Sequence, residues 1–136
     1  MARPRKERKV YTPPRMEGFE PYGISGKIAG EVCLKYEEFE SIRLVSYEGL
    51  SQAEAADRMD VSRPTLTRIY NRALRIMARA LVEGRSLKID GGDFTMQKEW
   101  YRCRKCSKLI EGIENHIRCE GCKDFGPEEL RPIFLQ

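Results

Sequence analysis

The chain reads as mainly α: a helix-turn-helix inside a core of three to four helices, a short β-hairpin, and then a small β-rich ribbon. Two observations predict the helical part. Apolar residues recur at helical spacing in the stretch from Phe39 to Val45 and again from Ala53 to Leu81, and good capping residues stand at the boundaries of these runs. A third observation predicts the ribbon: near the C-terminus two C-x-x-C pairs are separated by twelve residues, a spacing at which two tight knuckles converge on one ion.

At 136 residues the chain suffices for one ordinary domain or two small ones. We divide it into a basic arm with an extended Pro/Gly segment (1–30), a helix-turn-helix domain with a short hairpin (31–98) and a four-Cys ribbon (99–136). Charged residues make up 34% of the sequence, and no apolar run approaches the roughly 20 residues of a membrane span. The N-terminus lacks the apolar segment of a secretory signal, so the expected location is the cytoplasm, without membrane attachment. The net charge of +4 is mild but uneven, with basic residues gathered in the N-terminal arm and the second helix of the motif.

The arm from Met1 to Lys9 carries Arg3, Arg5, Lys6, Arg8 and Lys9 against Glu7 alone, and Pro4 interrupts any helix. Such an arm is either a solubilising tail or a reach into a minor groove or along phosphates. Tyr11 to Gly30, rich in Pro and Gly, should be extended chain and turns that pack Phe19, Tyr22 and Ile24 onto the helical core. Val32-Cys33-Leu34 leads into a helix from about Tyr36 to Tyr47, and Cys33 between two aliphatics reads as a buried small hydrophobe. Glu37, Glu38 and Glu40 sit where the helix dipole favours acids; with nothing in the sequence to complement them, they are read as structural.

In the motif itself Ser51 is the N-cap of a short helix, with Glu54 three residues later to complete a capping box. The helix should stop near Asp60, which takes the left-handed position in place of the more usual Gly. Ser62 caps the second helix, Pro64 falls in its first turn, and Leu66, Ile69, Ala73, Met77 and Leu81 mark one apolar stripe. The outer face then carries Arg63, Thr67, Arg68, Asn71, Arg72 and Arg75, with Thr65 at its start and no acid between Ser62 and Val82. Arg can read guanine edges, Asn adenine, and Thr a phosphate or a thymine methyl, so this face suits the major groove of double-stranded DNA. Arg63, Thr67, Arg68 and Asn71 are the expected base contacts. Arg72, Arg75 and the arm residues Arg3, Arg5 and Lys6 are the expected phosphate contacts.

Several ordered pieces then carry a resemblance: Ala2-Arg3-Pro4-Arg5-Lys6, Phe19-Glu20-Pro21-Tyr22-Gly23, Glu38-Phe39-Glu40-Ser41-Ile42-Arg43-Leu44, Val61-Ser62-Arg63-Pro64-Thr65, Leu81-Val82-Glu83-Gly84 and Gly91-Gly92. Together they resemble a family of small, uncharacterised prokaryotic proteins regarded as DNA-binding, whose helix-turn-helix is similar to the fourth region of bacterial sigma factors. The resemblance covers roughly residues 2 to 95 and implies a role in transcription regulation.

Beyond the motif, Leu87 and Ile89, the turn signal Asp90-Gly91-Gly92-Asp93, and Phe94 and Met96 predict a short hairpin. Its acidic tip suits packing or a dimer contact better than DNA, and a homodimer is admitted. Last come Cys103, Cys106, Cys119 and Cys122, expected to hold one structural Zn(II), with iron the competitor and two disulfides disfavoured in a reducing cytosol. His116 is left as a loop residue near the ion. A closed four-thiolate site has no open coordination position, and no nucleophile-and-base set or phosphate loop is visible, so no enzyme is expected. Two other functions remain: an interaction module binding transcription machinery or RNA, and a metal- or redox-sensing regulator.

Overall fold

A computed structural model describes residues 7–26, 28, 30–96, 99–103, 109–112 and 130–132. The expectation of a mainly α fold gives way to a mixed α/β one, with three helices and several short strands. The chain divides into two units, 1–95 and 96–136.

In the first unit, strands β1 (Arg8–Val10), β2 (Gly18–Phe19) and β3 (Glu31–Leu34) precede three helices, α1 (Tyr36–Ile42), α2 (Gln52–Met59) and α3 (Arg63–Glu83). Strands β4 (Ser86–Ile89) and β5 (Phe94–Met96) follow. Sheet order is β2-β4-β3, with β4 parallel to β3 and antiparallel to β2, while β5 pairs with β1. Parallel strands need a long crossover, and here all three helices lie within it. The two stretches expected to form a hairpin are strands, but they pair with other strands and not with each other. β4 lies beside Val32-Cys33-Leu34, which belongs to β3 and was expected only as a lead into the helix.

The alternation within β3 and β4 explains why. Val32, Leu34, Leu87 and Ile89 are buried on one face, whereas Glu31, Cys33 and Lys88 face outward. Cys33 is therefore exposed, with its Sγ donating to the Asp90 carbonyl at 3.4 Å, which corrects its reading as a core residue. The buried face packs on Ala73, with Ile76 and Ala80 of α3 and Phe39 and Ile42 of α1 alongside. Small alanines on α3 let the helix lie close to the sheet.

A second cluster joins Leu44, Ala55, Ala56, Met59 and Leu66, with Val45, Leu50, Val61 and Tyr70 around it. Leu44 belongs to a π-helical segment, Arg43–Tyr47, that continues α1. Leu44 follows the buried Glu40 and Ser41 by four and three residues and so stays on the inward side, while Ser46 is exposed; an apolar pattern through Phe39 and Ile42 alone misses that side because it carries Glu37, Glu40 and Ser41.

The capping chemistry is as expected. Ser51 Oγ accepts from the Glu54 N–H at 3.1 Å, and Ser62 Oγ from the Thr65 N–H at 3.3 Å, with Pro64 in the first turn of α3. Between α2 and α3, Asp60 takes φ 56 and ψ 47, the left-handed conformation, and among the described residues it is the only non-glycine with positive φ. Because β-branched side chains are disfavoured there, Asp60→Val should lower stability by about 1–2 kcal/mol, and Asp60→Gly should leave it unchanged or raise it by up to about 1 kcal/mol. Urea midpoints of the two variants check this; a neutral Asp60→Val would mean that the turn tolerates another geometry.

Two expectations about apolar residues fail. Phe19, Tyr22 and Ile24 do not pack into the core; Tyr22 is 99% exposed and Phe19 59%. On α3, Leu66 and Ala73 are buried and Ile69 half-buried, but the inward line then follows Ile76 and Ala80, leaving Met77 and Leu81 exposed. A 3.6-residue period accounts for this, since 66, 69, 73, 76 and 80 stay on one side over the full length, whereas 77 and 81 drift off it.

In the second unit, β6 (Trp100–Cys103), β7 (Leu109–Glu111) and β8 (Leu130–Pro132) form an antiparallel sheet in the order β7-β6-β8. Cys103 and Ile110 are buried in it. Among the described residues no helix is long and apolar enough to cross a membrane.

Candidate functional site

The N-terminal half of α3 is positioned by two anchors: the second apolar cluster, through Leu66, and the short turn Asp60–Ser62 that starts the helix beside α2. Arg63, Arg68, Asn71, Arg72 and Arg75 are exposed; Thr65 and Thr67 are half-buried. Among the described residues, no carboxylate pairs with Arg63, Arg68 or Arg75, so this surface keeps most of its positive charge.

The threonines are used locally. Thr65 Oγ1 takes hydrogen bonds from Ser62 Oγ at 2.9 Å and from the Arg68 guanidinium at 3.2 Å, so capping and the pose of Arg68 are linked. Thr67 donates to Gln52 Oε1 at the start of α2, which ties the two helices together. Arg72 is partly committed as well, with its Nε 3.0 Å from Glu38 Oε2, although its side chain stays 61% exposed.

The three glutamates of α1 are not left without complements, as the sequence reading supposed. All are buried, and each meets a different part of the chain. Glu37 accepts from the Asp93 N–H at 3.1 Å and lies 3.8 Å from Arg8. Burial pushes its carboxyl above the ordinary range, and the Arg8 charge and the Asp93 N–H oppose that shift. Glu38 accepts from the Lys35 N–H at 2.8 Å, closing the start of α1, and pairs with Arg72. Glu40 accepts from the Tyr11 N–H at 2.7 Å and the Thr12 N–H at 3.3 Å, and it pairs with Arg43. Buried carboxylates persist only when so matched.

Between α1 and α3 a cleft of about 390 Å³ opens, lined by Arg8, Lys35, Glu37, Glu38 and Asp93 together with Thr65, Arg68, Ile69 and Arg72. Arg8 is 3.6 Å from Asp93, so many of the charges in the cleft neutralise one another. No local pattern in the sequence marks Arg8, Lys35, Glu37, Glu38 and Asp93 as neighbours of Thr65, Arg68 and Arg72. Arg3, Arg5 and Lys6 lie outside the described residues, whereas Arg8 and Lys9 of the expected arm form part of β1.

Of the four expected metal ligands, Cys103 is buried at the end of β6. Cys106, Cys119 and Cys122, with His116, lie outside the described residues. Among the described residues no group of three or more His, Cys, Asp or Glu side chains is arranged to hold a metal ion.

These features define a small mixed α/β protein whose third helix presents an open basic surface. Its residues 1–97 match the family described as "Protein of unknown function DUF134", and the chain belongs to that family. It is similar to a UPF0251 protein of Halothermothrix orenii, 43% identical over 128 residues, which cover 94% of each chain. A UPF0251 protein of Chloroherpeton thalassium is 35% identical over 136 residues, covering 98% of this chain and 90% of the relative. A UPF0251 protein of Methanothermobacter thermautotrophicus is 35% identical over 136 residues, covering 100% of this chain and 70% of the relative. No solved structure matches the chain.

Proposed function

We propose that this protein binds double-stranded DNA sequence-specifically and regulates transcription. In this reading α2 and α3 act as a helix-turn-helix similar to the fourth region of bacterial sigma factors, and the N-terminal half of α3 enters the major groove. The observation that carries the reading is the exposed run of Arg63, Arg68, Asn71, Arg72 and Arg75 on a helix whose only acid, Glu83, lies in its last turn. A solvated helix face ordinarily mixes charge signs, and this one is cationic over its first three turns. Arg63, Thr67, Arg68 and Asn71 are assigned to base edges, Thr65, Arg72 and Arg75 to the backbone, and Arg3, Arg5 and Lys6 to phosphates beside the helix.

We also propose that Cys103, Cys106, Cys119 and Cys122 hold one Zn(II), making the second unit a zinc ribbon. What supports this is the donor set itself, four thiolates in two C-x-x-C pairs, together with the burial of Cys103 at the end of a strand whose connection to β7 contains Cys106. The ion would act as a structural cross-link in a segment too small to fold on its apolar residues alone.

The test begins with selection of bound fragments from a random DNA pool. On the selected site Arg68→Ala should cost about 1–3 kcal/mol and relax base choice at one position. Replacing Arg3, Arg5 and Lys6 together by Ala should instead weaken all duplexes alike and flatten the salt dependence. Equal losses on selected and random DNA for both variants would sink base reading and favour a general nucleic-acid binder. Preference for RNA, or for transcription machinery over any duplex, would favour the interaction-module reading.

A further inference from the structure

Towards its C-terminal end α3 exposes apolar side chains beside its cationic face. Leu81 is 84% exposed and Val82 82%, with Leu74 at 42% and Met77 at 38%. Positions 74, 77, 81 and 82 follow the i, i+3, i+7, i+8 spacing of a helix seam, and none of them, nor the exposed Ala78 among them, carries a charge. The stripe does not stop at the helix end. A Cβ built on Gly84 would lie 3.1 Å from Ile24 Cδ1, so the loop carrying the exposed Tyr22 and Ile24 abuts the end of α3. Phe19 stands opposite Leu87, three residues further along.

We propose that this surface pairs with the same surface of a second copy of the chain about a two-fold axis, α3 packing antiparallel on α3. The area fits such a partner. With the fully exposed Tyr22 and the exposed Phe19 and Ile24 added, the stripe exceeds the few hundred Å² common for a patch on a monomer and approaches the ~800 Å² that each partner gives to a standard interface. The spacing fits it too, because antiparallel pairing centred near residue 78 sets Leu74 of one copy against Leu81 of the other and Met77 against Ala78. Of the two arginines within the paired span, Arg79 is neutralised by Glu83 of its own helix at 2.9 Å, and Arg75 lies on the flank of the stripe, where its long side chain can reach solvent.

The pairing stands independently of the proposed DNA binding.

Sedimentation of the full-length chain over about 1–200 μM, without DNA, tests the pairing. A concentration-dependent dimer is expected, and Leu81→Glu with Val82→Glu should convert it to a monomer of unchanged helical content. Lys88→Glu, on the outer face of the sheet, should leave the dimer intact. A wild-type monomer at the highest concentration would overturn the proposal, as would a dimer that survives the double substitution. If the C-terminal unit of the same chain covers the stripe instead, the wild type stays monomeric and the proposal fails.

Discussion

Replacing Cys103 by Ser should remove about one equivalent of zinc from the chain and unfold the β6-β7-β8 sheet while the helices of the first unit persist. The free energy at stake is on the order of 10 kcal/mol, the apparent value for structural zinc in small peptides, because three thiolates bind far more weakly than a closed set of four. The selectivity follows from where the cores lie. Among the described residues, both apolar clusters of the first unit are built from residues no later than Ile89. Metal analysis of protein purified under reducing conditions, with far-UV dichroism before and after chelation, checks both halves. Metal-free protein with an intact ribbon, or two disulfides in protein taken directly from reducing cytosol, would refute the assignment. If chelation also lowers DNA affinity tenfold or more, about 1.4 kcal/mol, the ribbon is a metal-linked switch and not a stabilising module.

Glu40→Ala should destabilise the first unit by about 3–5 kcal/mol, a large share of the 5–15 kcal/mol that usually holds a domain together. Glu40 has no exposed surface and satisfies two backbone N–H groups, of Tyr11 and Thr12, as well as the half-buried Arg43 guanidinium. Removing the carboxylate strands all three. Arg43 keeps a contact with Glu48 at 3.2 Å, but that pair is solvent-exposed and offsets little. Glu40→Gln retains one acceptor oxygen and should cost less, about 1–2 kcal/mol. Replacing Glu40 and Arg43 together by Leu should recover only the part of the loss that comes from the stranded guanidinium, since the Tyr11 and Thr12 N–H groups still lose their acceptor. Urea unfolding at constant m-value measures each; a Glu40→Ala change under 0.5 kcal/mol would show that water replaces the carboxylate without penalty.

The features whose causes are local are legible in the sequence. Ser51, Glu54, Asp60, Ser62 and Pro64 mark helix starts and a turn, and each acts on backbone no more than four residues away. The lengths of α2 and α3 and the alternation in β4 and β5 follow in the same way. The basic run on α3 was legible because its residues lie within a few turns of one helix.

Partner identity was not legible. Glu40 meets Tyr11 across 29 positions and Glu37 meets Asp93 across 56, so three glutamates that look like an ordinary acidic helix start are in fact buried fasteners. The same holds for the strands: their alternation marks Ser86–Ile89 as half-buried, yet only the path of the crossover helices decides that it lies parallel to β3 and not folded back on β5. Local hydrogen bonding and side-chain period thus determined α2, α3, β4 and β5, the helix caps and the cationic face from sequence alone. The tertiary structure decided which strands pair, what neutralises the buried acids and which part of α3 stays apolar and open, because these depend on desolvation and packing between segments far apart in the chain.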